Sequence, residues 1–217
     1  MSVLRILVAD DHEVVRKGVK TLLESHPGWT VCGEATNGRE AVAEAQRLAP
    51  DMVILDVTMP GLNGLDATRQ IRRLVPRAEV LILTVHESEQ MVKEILSAGA
   101  RGYVLKSDAG RELAAAVEAM QARRPYFTAK VAERMLDEYV GSGSTSAVSS
   151  AHESLTPRER ELLQLLAEGK TGRQAARILK ITVKTAATHR TNLMKKLDVH
   201  NLAGLVQYAI RNKIIEP

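Results

Sequence analysis

Five short aliphatic runs punctuate the first half of the chain: Leu4 to Val8, Trp29 to Cys32, Met52 to Leu55, Val80 to Leu83 and Gly102 to Leu105, at spacings of 22 to 28 residues. None alternates apolar with polar residues, the pattern expected of strands buried on both faces. Between them the apolar positions fall three and four apart, as in Val14, Val15, Val19, Leu22 and Leu23, in Ala41, Val42 and Ala45, and in Leu65, Thr68 and Ile71. That spacing lines one side of a helix. Strand and helix in strict alternation predict an α/β fold, a doubly wound five-stranded parallel sheet wrapped by helices. In such an open sheet the binding crevice lies at the carboxyl ends of the strands.

The second half reads differently. A helical stretch is predicted from Thr128 to Val140, followed by Gly141-Ser142-Gly143-Ser144-Thr145-Ser146 and Ser149-Ser150, the composition of a flexible linker. From Thr156 the pattern is wholly helical. Thr156-Pro157-Arg158-Glu159 supplies an N-cap, a proline at the first helical position and a capping-box acid, and Thr171-Gly172-Arg173-Gln174 repeats the box with glutamine. Thr182 can cap a third helix, and a fourth runs from about Asn201 to Asn212, giving a small all-α domain. The expected division is residues 1–122, a linker over 123–153 with a helical first part, and residues 154–217.

Two strand ends carry acids and two carry other polar groups. The first strand finishes in Asp10-Asp11, the third in Asp56, the fourth in Thr84 and the fifth in Lys106, so all five residues converge on one crevice. Clustered carboxylates repel one another unless a cation neutralises them, and Mg2+ suits a few carboxylate oxygens, a backbone carbonyl and several waters. Asp56, on the middle strand, is the candidate nucleophile for a phosphoryl group. Lys106 can pair with the phosphoryl oxygens and Thr84 can supply a hydroxyl. Phosphoryl transfer asks mainly for positioning and charge neutralisation, so this set suffices without a general base.

Ala9-Asp10-Asp11-His12, Leu55-Asp56-Val57-Thr58-Met59-Pro60-Gly61, Thr84 and Gly102-Tyr103-Val104-Leu105-Lys106 resemble the response-regulator receiver domain, which has a flavodoxin-like fold. The likeness spans residues 1 to about 122. It implies that Asp11, Asp56 and the carbonyl of Thr58 bind Mg2+, that Asp10 helps position it, and that Asp56 takes its phosphoryl group from a sensor histidine kinase. It also implies a switch pair, Thr84 and Tyr103: the hydroxyl moves toward the phosphoryl oxygens and vacates space for an inward-turning ring. Val85 stands where many receivers keep a small residue, which would narrow access to Asp56.

Residues 155 to 215 resemble the LuxR-type helix-turn-helix of the NarL/FixJ subfamily, through Leu155-Thr156-Pro157-Arg158-Glu159-Arg160-Glu161, Ala167-Glu168-Gly169, and Thr188-His189-Arg190 through Lys196-Leu197. The likeness implies a supporting helix over Thr171 to Leu179 and a recognition helix over Val183 to Leu197 that enters the major groove. Leu193 and Leu197 then face the core, and Lys184, Thr185, Thr188, Arg190, Thr191, Asn192 and Lys195 are left for DNA. Lys184 and Lys195 would touch phosphates, Thr188 and Asn192 base edges. Several positions depart from the family pattern: Ala186, Ala187, Thr191, Gly172 and Leu202 replace other customary residues. Dimerisation of the phosphorylated protein through Leu202, Leu205, Val206 and Ala209 would require paired half-sites in double-stranded DNA.

Charge agrees with that division of labour. The net +4 conceals 18 Lys/Arg against 20 Asp/Glu in residues 1–150 and 12 against 6 in 151–217, so −2 meets +6. Aromatics are only 3% of 217 residues, too few for a platform that stacks single-stranded RNA. The single cysteine, Cys32, allows no internal disulfide and reads as a core residue. No run of about eighteen apolar residues occurs, so a cytoplasmic protein without membrane contact is expected. A phosphatase of the haloacid-dehalogenase type would need a second aspartate where Thr58 stands, and a flavodoxin-type carrier would need a phosphate loop and flavin-stacking aromatics. The expected protein is therefore not an enzyme beyond self-phosphorylation and autodephosphorylation. The remaining alternative is a phosphorylation-independent regulator acting through protein–protein interaction.

Overall fold

The computed structural model of the chain describes residues 3–128 and 155–215. They fall into two compact units. The helix predicted over Thr128 to Val140, from residue 129 onward, and the Gly/Ser-rich segment lie outside the described residues.

The first unit runs β1 (Leu4–Ala9), α1 (Glu13–Glu24), β2 (Trp29–Ala35), α2 (Gly38–Leu48), β3 (Met52–Leu55), α3 (Gly64–Leu74), β4 (Glu79–Thr84), α4 (Glu89–Ser97), β5 (Gly102–Leu105) and α5 (Ala109–Gln121). The sheet is wholly parallel with strand order β2-β1-β3-β4-β5, the doubly wound arrangement expected. β3 and β4 are buried at every position. Each of α2, α3 and α4 starts where a side chain replaces the missing backbone acceptor: Asn37 receives the N–H of Glu40, Asn63 that of Asp66 and Ser88 that of Met91. One layer of core joins Ile6, Val8, Met52, Ile54, Leu81 and Val104 to Val19 and Leu23 of α1 and to Leu113, Val117 and Met120 of α5.

Three expectations change. β2 continues past Cys32 to Ala35 and lies at the sheet edge, where it is only partly buried. Cys32 is not a core residue: Ile6 pairs with Val31 and Leu7 with Gly33, so Cys32 sits unpaired in a bulge, half-buried. On α1, Val14 is 84% exposed and Leu22 41%, because the helix covers the sheet with only Val19 and Leu23 fully buried. After α5 the chain turns back, and Tyr126 forms a single parallel bridge with Gly102 on the outer edge of β5.

The second unit contains α6 (Pro157–Ala167), α7 (Gly172–Leu179), α8 (Val183–Lys196) and α9 (Leu202–Arg211). Both predicted capping boxes form, at Thr156/Glu159 and Thr171/Gln174, and Thr182 caps α8 by accepting from the N–H of Thr185. Glu159 does more than cap. Its carboxylate also takes Lys196 Nζ at 2.7 Å, tying the start of α6 to the end of α8. Leu162, Leu163, Leu166, Leu179, Leu193 and Leu205 form the centre of this unit's core.

Candidate functional site

The carboxyl ends of β1, β3, β4 and β5 assemble the crevice. Asp10 and Asp56 are 2% and 4% exposed, and Lys106 Nζ lies 2.7 Å from Asp10 Oδ2 and 2.8 Å from Asp56 Oδ2. One cation thus bridges two buried acids. Asp10 Oδ2, despite that proximity, is outside hydrogen-bonding geometry. Asp11 is exposed at the rim, and ligand atoms of Asp10, Asp11, Asp56 and His12 all lie within 4.8 Å of one another. Burial pushes the Asp56 carboxyl up; Lys106 pulls it down, Asp10 pushes it up again, and the balance stands at about 6 against an ordinary 3.8. Burial disfavours the charged Lys106, yet Asp10 and Asp56 more than offset this and raise its pKa.

This donor set fits a hard divalent cation. Two buried carboxylates and one at the rim leave negative charge that a single lysine does not neutralise. The floor under Asp56 is backbone. Gly64 N–H donates to the Val57 carbonyl at 2.8 Å, and a Cβ at Gly64 would come within 1.9 Å of the Asp56 carbonyl oxygen. Only glycine permits that approach.

Thr84 and Tyr103 are both fully buried. His86, in the loop after β4, connects them: its N–H donates to Thr84 Oγ1 at 3.2 Å and its carbonyl accepts from Tyr103 OH at 2.8 Å. The tyrosine ring therefore occupies the inward position, anchored by a backbone group. The His86 ring also meets Thr58 Oγ1 at 3.1 Å, joining the loops that follow β3 and β4. His86 was missed in the sequence, and so was Arg16, whose guanidinium donates to the Asp10 carbonyl at 2.8 Å. His12, whose Nδ1 lies 2.9 Å from Asp11 Oδ1, was legible only as the residue after the acidic pair.

In the second unit, α8 buries Ala186 and Leu193, Leu197 is buried just past its end, and the helix turns Lys184, Thr185, Thr188, Arg190, Thr191, Asn192 and Lys195 outward, all of them exposed. Lys184, Thr188, Thr191 and Lys195 share one stripe, with Thr185 and Asn192 at its side. Arg190 lies about 120° round the helix from Lys184, on the flank of the buried stripe. The Thr188 and Thr191 hydroxyls donate to the carbonyls of Lys184 and Ala187, which leaves them as acceptors. On α9 the expected dimer face is corrected. Leu205 and Ala209 are fully buried in their own core, whereas Leu202 is 45% exposed and Val206 partly so, with Ile210 beside them at 36%.

The family model described as "Response regulator receiver domain" matches residues 6–118, more than half of the chain. The chain belongs to the response regulators. A second family model, "Bacterial regulatory proteins, luxR family", matches residues 153–209 of this response regulator. "Transcriptional regulatory protein LiaR" of Bacillus subtilis (strain 168) is 40% identical to it over 98% of the chain and 99% of LiaR. Among solved structures, a LuxR-family two-component response regulator from Aurantimonas sp. SI85-9A1 is 39% identical, covering 64% of this chain and 99% of its own, with a TM-score of 0.61. RcsB of Salmonella enterica serovar Typhimurium, solved bound to promoter rprA with the phosphomimetic BeF3-, is 26% identical over 94% of this chain and 97% of its own, with a TM-score of 0.62. This response regulator thus pairs a receiver with a LuxR-type DNA-binding domain and acts in transcription, and among the described residues no helix is long and apolar enough to cross a membrane.

Proposed function

We propose that Asp56 is the phosphoryl acceptor of this response regulator, with a sensor histidine kinase as donor. What carries the reading is the pair of buried carboxylates, Asp10 and Asp56, bridged by Lys106 at the strand ends. A carboxylate oxygen of Asp56 forms the new O–P bond as the N–P bond of the phosphohistidine breaks and the imidazole leaves. Lys106 meets the charge that arrives on the phosphoryl oxygens, and Thr84 offers its hydroxyl. Asp11, Asp56 and the Thr58 carbonyl would hold Mg2+ with Asp10 behind them, and the ion supplies charge neutralisation between phosphoryl and carboxylate oxygens. Tyr103 and Thr84 then report the modification through the His86 loop.

Residues 1–122 form the receiver, 123–153 the linker and 154–217 the DNA-binding domain in this reading. Lys184 and Lys195 meet phosphates, Thr188 and Asn192 face base edges as acceptor and amide, and Thr185 and Thr191 flank them. Leu202 and Val206, with Ile210, form the dimer face, so paired half-sites are expected. The chain works in the cytoplasm, where kinase and DNA meet. The test incubates parent and Asp56→Asn proteins with acetyl phosphate and Mg2+, measures mass, and recovers genomic DNA fragments in each state. Phosphate on the Asp56→Asn protein would remove the acceptor assignment; no fragment enrichment by the phosphorylated parent would remove the DNA-binding one.

A further inference from the structure

The edge of β5 carries a segment that neither phosphorylation nor DNA binding uses. A strand edge presents unpaired N–H and C=O groups, and here residues just beyond α5 take them up. Tyr103 N–H donates to the Tyr126 carbonyl at 2.9 Å, and Tyr126 N–H donates to the Arg101 carbonyl at 3.0 Å, a one-residue parallel ladder centred on Gly102. Side chains hold the segment in place. Arg123, at φ 60° in the left-handed region, donates to Glu79 Oε1 at 2.5 Å; Arg101 reaches the same oxygen at 3.3 Å and the Arg123 carbonyl at 2.8 Å. Tyr126 OH donates to Glu112 of α5. Burial and that carboxylate push the Tyr126 phenol up to about 12, so it remains a donor across the physiological range.

Gly102 itself leaves no slack. A Cβ there would come within 2.4 Å of Met120 Sδ and 2.5 Å of Leu81 Cδ1, so β5 lies directly against α5 and β4. The backbone of Tyr103 is thus held on one side by the sheet and on the other by Tyr126, the point from which the chain leaves the receiver.

We propose that the segment Arg123–Tyr126 is a transmission element, in which Tyr126, laddered to β5 at Tyr103, passes the state of the switch strand into the chain that leads to the DNA-binding domain. Tyr126 is a positioning residue: it touches no phosphoryl group and acts through Tyr103. The proposal rests on Asp56 as the acceptor and Tyr103 as a switch residue. A displacement of β5 that follows the Tyr103 ring shifts or breaks the ladder, and the departure point of the linker moves with it.

Hydrogen exchange on the full chain tests it, comparing segments 100–106 and 123–128 with and without acetyl phosphate and Mg2+. In the parent, both segments change exchange rate on phosphorylation by about threefold or more, and in the same direction. Tyr126→Pro deletes the N–H to Arg101; Asp56 still gains phosphate mass and 100–106 still responds, while 123–128 exchanges fast in both states. Tyr126→Phe keeps the ladder and keeps the joint response, which separates the ladder from the mere packing of a ring. A parent in which 100–106 responds and 123–128 does not, or a Tyr126→Pro protein in which both still respond, overturns the transmission element alone. Absence of phosphate on Asp56, or a silent 100–106 segment after phosphorylation, overturns the switch reading and this proposal with it.

Discussion

Replacing Asp56 with asparagine should stabilise the receiver at neutral pH, and the size of the gain follows from the crevice. The folded protein holds this carboxyl at about 6 against an ordinary 3.8, because burial opposes the charged form more than Lys106 favours it. Each pKa unit is worth 1.36 kcal/mol, so a difference of roughly two units costs the folded state about 3 kcal/mol once the group is fully ionised. The sign is that of a raised acid: the folded state carries no penalty below pH 3.8, and stability is lost as pH rises through about 6. At pH 4.5 the cost is only about 1 kcal/mol. Asparagine has the same shape and no charge to desolvate, so Asp56→Asn should gain about 3 kcal/mol at pH 8 and about 1 kcal/mol at pH 4.5 in metal-free buffer. Trp29 is the sole tryptophan and is buried in the first unit, so its fluorescence during urea unfolding reads that unit and not the other. Mg2+ binding to the parent should close much of the gap at pH 8; an ion at 100 times its Kd adds about 2.7 kcal/mol. An equal gain at both pH values, or none at pH 8, would refute the claim that desolvation dominates at Asp56.

Four further outcomes are expected. Gly64→Ala drives a Cβ into the Asp56 backbone and should destabilise the first unit by about 1–3 kcal/mol, read by the same fluorescence, with slower phosphorylation by acetyl phosphate. Lys184→Ala should flatten the dependence of log K on log salt for a mixed-sequence duplex by about 0.9, measured by fluorescence anisotropy, and an unchanged slope removes its phosphate contact. Leu205→Ala should cost about 2–5 kcal/mol of second-unit stability by circular dichroism, while Leu202→Ser should leave stability nearly unchanged and weaken self-association of the phosphorylated protein in sedimentation. Val85 stands 60% exposed beside Thr84, and Val85→Ala should speed phosphorylation by acetyl phosphate; an identical rate shows that it does not narrow the entrance.

What the chain disclosed beforehand follows from periodicity and strand ends. Asp10, Asp56, Thr84 and Lys106 each follow or close an aliphatic run, and a parallel sheet must bring such positions together, so the crevice was legible without side-chain coordinates. His86 was not, because the bonds that join it to Thr84, Tyr103 and Thr58 involve its two backbone groups and a ring meeting Thr58 across 28 positions, none of which leaves a periodic trace. The Cys32 bulge escaped for a similar reason: an extra residue in an edge strand does not interrupt an apolar run. On α9 the spacing of Leu202, Leu205, Val206 and Ala209 announces an amphipathic helix but does not say which residues its own core will claim. Only the packing against α6 separates the two buried residues from the two outward ones.

The bulge at Cys32 makes the chain's one thiol a natural gauge. A single cysteine means that any alkylating dye marks one site per molecule, without engineering. Burial raises the thiol's pKa, so little thiolate is present near neutrality and the closed edge strand reacts slowly. Labelling speed therefore reports how open the half-buried bulge in β2 is, and it can be timed in the intact protein with a reagent and a clock.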